Sequence, residues 1–148
     1  MNTPNQSDPG NIEPRLRTMR ILWIAMVMSI LIYCAFTSFV KRRPEPAPNR
    51  TLSLAFLIAG ASTTLISFVI KSTLLKKATQ QQQVPLVQQA YIVAWAITEV
   101  AALLGMLDFF VTGNPYYYAL FIISALGMLF HFPRRDAVLN AAFKNQGF

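Results

Sequence analysis

Four long apolar runs dominate this chain, at residues 21–40, 52–70, 90–111 and 116–132, with short polar stretches between them. They hold 20, 19, 22 and 17 residues. A helix needs about 20 to cross the ~30 Å hydrocarbon core of a bilayer. The pattern predicts an all-α polytopic membrane protein: four transmembrane helices in two hairpins, with a short C-terminal interfacial helix. Between the first two runs, KRRPEPAPNR has the alternating prolines of an extended, polyproline-like connector. KKATQQQQVPLVQQ, at 76–89, reads as a short solvated loop, although residues 72–75 can carry the second helix a further turn. TGNP, at 112–115, reads as a tight turn that closes the last two helices into a hairpin. Val138, Ala141 and Ala142 have the i, i+3, i+4 spacing of a short amphipathic helix on the membrane surface. The expected organisation is a disordered polar tail at 1–17, a four-helix transmembrane unit at 18–133 and an amphipathic tail at 134–148.

Composition agrees. Of 148 residues, 54% are hydrophobic and only 13% charged, which places the chain with integral membrane proteins rather than soluble domains. A net charge of +7 taken alone would suggest nucleic-acid binding. The basic residues instead gather at the ends of the apolar runs, where they set orientation and meet anionic head groups, so no nucleic-acid partner is expected. With the N-terminus inside, nine Lys and Arg lie on the inner side and four (Lys41, Arg42, Arg43 and Arg50) on the outer side. The positive-inside rule then favours both termini in the cytoplasm, and the expected location is a bacterial inner membrane. The first run is longer than a signal-peptide core and is followed by KRRP rather than small residues, so it reads as a retained helix.

Glu99 is the residue that changes this picture. Counted from Ala90, its carboxylate lies roughly 14 Å into the third run, near the bilayer midplane. An ionisable group there costs a few kcal/mol and by default marks a functional site. Burial favours its neutral form, which suits reversible binding of a proton or sodium ion. Thr98 is adjacent, and Ser62, Thr63 and Thr64 on the second helix lie at a depth where their hydroxyls can reach it. Close approach of the two helices follows from small residues: Ala94, Thr98, Ala101 and Gly105 form a stripe on the third, facing Ala59 and Gly60 in the AGAST block of the second. Asp108, about half a turn around the third helix, is expected to reach interface water. His131 is expected as an interface histidine.

Residues 94–110, AWAITEVAALLGMLDFF, resemble the carboxylate helix of the rotary ATP synthase and V-type ATPase proteolipid, the c subunit. Ala96, Glu99, Ala102, Gly105 and Phe110 fall at the family's offsets of −3, 0, +3, +6 and +11. The preceding loop is polar and basic, with Lys76, Lys77 and Pro85, as in that family. The resemblance implies that Glu99 is the ion-binding carboxylate and that the second and third helices form the hairpin that carries it.

Chemistry beyond this is excluded by what the chain lacks. One cysteine, Cys34, and one histidine build no disulfide, metal cluster or bis-histidine haem site, so no metal or cofactor is expected. No Walker, GxGxxG, HExxH or GxSxG motif occurs. The sequence supports a small non-enzymatic membrane subunit that binds or translocates a proton through Glu99. The alternative is a structural or assembly protein in which Glu99 clamps helices together. Its expected partners are the lipid bilayer and other membrane subunits or further copies of itself.

Overall fold

Helix α1 (Ile12–Phe39) begins earlier than its apolar run, because Ile12, Leu16 and Met19 form one buried face that continues the helix backwards. The computed structural model of the protein describes residues 12–40 and 49–142. Residues 12–17, assigned by sequence to a disordered tail, are therefore helical; the rest of that tail, residues 41–48 of the proline-rich connector and residues 143–148 of the C-terminal tail lie outside the described residues. Helix α2 (Arg50–Gln81) and helix α3 (Val84–Val111) follow, then a short 3-10 turn (Pro115–Tyr117), α4 (Tyr118–Phe130) and α5 (Arg135–Ala142). The described residues form helices and the turns between them.

The glutamine-rich stretch is not a loop. Helix runs through it on both sides, and only Gln82 and Gln83 link α2 to α3. Lys, Ala, Leu and Gln are all good helix formers. Gln82 closes α2 in the left-handed conformation (φ 51°, ψ 42°), its N–H directed at the carbonyls of Ala78 and Thr79. Pro85 sits in the first turn of α3, where a missing N–H costs nothing.

On α2 the side chains are distributed the opposite way from a helix of a water-soluble bundle. Along α2 the buried positions are Ser53, Gly60, Thr64, Ser67 and Ala78, all small and mostly polar. Leu65 (68% exposed), Val69 (64%) and Ile58 (59%) point outward. Burying small polar groups while exposing large aliphatic ones is stable where the surroundings are hydrocarbon, and close backbone contact replaces the hydrophobic drive. α1, α2 and α3 hold 28, 32 and 28 residues and are each long and apolar enough to cross a membrane.

The fourth expected span differs. α4 has only 13 residues, about 20 Å of helix. Pro133 follows it and disfavours helical geometry at Phe132, so the chain breaks and resumes as α5, bent by 47° from the preceding helix. Three helices, or four with this bent pair counted as one, meet the length and apolarity of a span. α5 has its expected apolar face, but Val138 and Ala141 are buried in the core with Ile12, Leu16 and Met19 rather than laid on a lipid surface.

Three donors hold the last turn of α4 inside the bundle. The indole of Trp23 donates to the Met128 carbonyl (2.8 Å), that of Trp95 to the His131 carbonyl (3.0 Å) and the Lys71 ammonium to the Phe130 carbonyl (3.3 Å). Carbonyls at a helix C-terminus have no partner within the helix. Side chains from α1, α2 and α3 supply them here, which fixes where a short helix can end. At this same end lie Arg15, Arg17 and Arg20 of α1, Lys76 and Lys77 of α2, and Arg134 and Arg135. Arg135 pairs with Glu13 at 3.4 Å.

Candidate functional site

Glu99 faces α1, not α2. Its Oε1 accepts from the Ser29 hydroxyl at 2.5 Å and from the Tyr33 hydroxyl at 3.1 Å. Ser29 and Tyr33 are four residues apart and so share one face of α1. The residue is half-buried. Among the described residues no group donates to Oε2, and the sole fully buried side-chain polar atom without a partner is Nδ1 of His131. Oε2 is therefore at least partly exposed beside the α1–α3 seam.

The Ser29 hydroxyl has two acceptors within reach: Oε1 of Glu99, and the Met26 carbonyl at 2.8 Å. It carries a single proton, so it can satisfy only one at a time.

The expected partners on α2 are elsewhere. Thr63 and Thr64 turn their hydroxyls back to the Gly60 carbonyl at 2.9 and 3.0 Å, and Ser62 is exposed. Thr98, although adjacent to Glu99, is about 100° away around the helix and faces α2 and α4. It lies within reach of the Ala94 carbonyl (2.8 Å) and the Ser67 hydroxyl (3.1 Å), and its own carbonyl accepts from Ser124 (2.9 Å). The structure thus brings Thr98 and Thr64 together around the interior of the bundle and leaves Glu99 on a different face.

The packing residues divide in the same way. Ala94, Ala101 and Gly105 are buried on α3, and Gly60 is buried opposite them on α2. A Cβ at Gly60 would run into the Leu120 side chain and lie 3.5 Å from the Ala101 backbone. Ala59 is exposed, because the inward line of α2 runs through 53, 60, 64 and 67 and residue 59 stands off it.

Two further polar clusters were not anticipated. Asp108 does not reach interface water; it is 2% exposed. Ser53 donates to its Oδ2 (2.9 Å) and Thr112 to its Oδ1 (2.5 Å), while Asn114 donates to Ser53. The Asn49 N–H reaches the Thr112 carbonyl at 3.1 Å, so this cluster ties the start of α2 to the end of α3. His131 is fully buried, its Nε2 lying 2.7 Å from Ser67 Oγ. The Ser67 hydroxyl also has the Thr64 carbonyl within reach at 2.6 Å, and its single proton serves one of the two. Nδ1 has no partner among the described residues. Both clusters join residues far apart in sequence, for which periodicity gives no signal. Ser29, Tyr33 and Thr37 did offer one: a polar i, i+4, i+8 line inside the first apolar run.

Comparison with protein-family models, curated proteins and solved structures returned no match. The chain is a small all-helical protein whose apolar helices fit membrane embedding, and its chemistry has to be argued from the side chains themselves.

Proposed function

We propose that this chain is a small, non-enzymatic, four-span membrane subunit that binds a proton at Glu99, in the seam between α1 and α3. The single observation that carries this is the Ser29 hydroxyl with its two acceptors. When Glu99 is ionised, Ser29 and Tyr33 both donate to Oε1. When Glu99 takes up a proton, its O–H donates to Ser29 Oγ, and Ser29 gives its own proton to the Met26 carbonyl. Neither state leaves a buried group unsatisfied, and no heavy atom has to move.

The likeness of residues 94–110 to the proteolipid helix fits the same reading, with one difference in design. Both donors come from α1, which lies outside the α2–α3 pair that carries the likeness. The gathering of basic side chains at one end of the bundle supports placing that end in the cytoplasm. A non-catalytic role is supported by the burial of Ser67 and His131, which stand as a hydroxyl–imidazole pair with no approach for a substrate.

The second reading is a clamp, favoured by the fact that the same two hydroxyls join α1 to α3. A hydrophobic carbodiimide, which attacks the protonated carboxyl, separates the two. On the full chain in liposomes, proton binding predicts one label per chain on the peptide containing Glu99. Labelling should fall as pH rises and vanish in Glu99→Gln. Labelling that is absent, or indifferent to pH, leaves the clamp.

A further inference from the structure

At the basic end of the bundle, α2, α3 and the α4–α5 bend form an open cleft of about 850 Å³. Phe68, Phe130 and Phe132 line it together with Lys71, Lys76 and Arg134. The Lys71 ammonium stands between two aromatic faces, 5.7 Å from the Phe68 ring centre and 5.4 Å from that of Tyr91. It is half-buried, and among the described residues neither it nor Lys76 nor Arg134 has an ion-pair partner. The one carboxylate at the cleft, Asp136, leaves a surplus of positive charge. Cations converging on one opening without counter-charges are a site for an anion.

The order of the lining residues says what kind of anion. Along α2 the wall passes from Phe68 through Lys71, Leu75 and Lys76 to Thr79 and Gln80, from apolar to cationic to neutral polar. The apolar end adjoins the lipid-facing side chains of Val69 and Phe130, both exposed. We infer that this cleft binds one anionic phospholipid, its phosphate held by Lys71 and Arg134 and the start of its acyl chains laid against Phe68, Phe130 and Phe132. Free phosphate satisfies the cations but leaves the aromatic wall unused. The site is separate from Glu99 and stands whether or not that residue binds a proton.

Native mass spectrometry of the full chain in mild detergent tests this, with phosphatidylglycerol, phosphatidylcholine or inorganic phosphate added in turn. One phosphatidylglycerol should be retained per chain, at least tenfold in preference to phosphatidylcholine, with no retained phosphate. Lys71→Gln with Arg134→Gln should abolish the preference, whereas Lys77→Gln, an exposed lysine outside the cleft, should keep it. Arg134→Gln alone, at an exposed position, should cut retention several-fold and serves if the double variant fails to fold. Equal retention of the two lipids, occupancy by inorganic phosphate alone, or a preference untouched by Arg134→Gln would overturn the assignment.

Discussion

Glu99 and Asp108 stand on opposite faces of α3, one turned to α1 and the other to α2. Nine residues at about 100° each amount to half a turn beyond whole turns, so this opposition is dictated by the helix itself. The two carboxylates differ in consequence. Glu99 has two donors on one oxygen and its other oxygen at least partly exposed, whereas both oxygens of Asp108 are hydrogen-bonded and buried. The proposed proton binding is assigned to the first, and the second ties α2 to α3.

Removing the donors to Glu99 one at a time should therefore affect chemistry more than stability. Hydrogen bonds between membrane helices contribute about 0.6 kcal/mol on average. Tyr33→Phe and Ser29→Ala should each cost about that much in a detergent-unfolding measurement. Tyr33→Phe removes a donor to the carboxylate and Ser29→Ala removes the partner it uses in both states, so carbodiimide labelling of Glu99 should differ from the unaltered protein in each. A labelling profile unmoved by either change would mean that the hydroxyls do not govern the carboxyl group.

Asp108 should behave in the opposite sense. Asp108→Ala leaves the Ser53 hydroxyl without its buried acceptor, while Thr112 keeps the carbonyl of residue 108 at 2.9 Å, at a cost of about 1–3 kcal/mol. The loss should appear as a lower unfolding midpoint. It should come with cleavage by added protease near residues 112–114, where the end of α3 is no longer tied to the start of α2. Carbodiimide labelling of Glu99 should be unchanged.

What the sequence made legible was whatever depends on one helix at a time. The lipid-crossing lengths of α1, α2 and α3, the buried stripe through Ala94, Thr98, Ala101 and Gly105, and the apolar face of α5 all follow from periodicity within a segment. What it did not disclose depends on which helix lies beside which. Any hydroxyl at the right depth looks like a neighbour of Glu99; only the rotation of α3 decides between Ser29 on α1 and Thr64 on α2. The shortness of α4 was hidden for the same reason. Its apolar run reaches Phe132, and although Pro133 disfavours helix there, the point where α4 ends also depends on Trp23, Trp95 and Lys71, which offer its last carbonyls partners from three other helices.

That capping gives a direct prediction. Trp95→Phe keeps most of the buried aromatic volume and removes the N–H to the His131 carbonyl. The cost should be about 1 kcal/mol, as for a buried backbone acceptor left without its partner. Hydrogen exchange should rise in the last turn of α4 and in α5, and stay unchanged where α2 meets α3 near Gly60. A uniform rise across the bundle would instead make Trp95 a packing residue only.

Gly127 is a close backbone approach in the interior and contrasts with Gly60. A Cβ there would lie 2.7 Å from Thr64 Cγ2 and 2.8 Å from Thr98 Cγ2. Neither methyl can swing away cheaply, because both side chains are β-branched and both hydroxyls are engaged in hydrogen bonds. At Gly60 the obstacle is the end of the Leu120 side chain, which has rotamers to spare. Gly127→Ala should therefore destabilise by about 1–3 kcal/mol, the usual cost of overpacking, and Gly60→Ala by less. Thr64→Ser would delete one of the two obstructing methyls while keeping its hydroxyl. Combined with Gly127→Ala, it should recover part of the loss in the same unfolding measurement. Costs that simply add, with no recovery, would show that Thr64 is not what Gly127 makes room for.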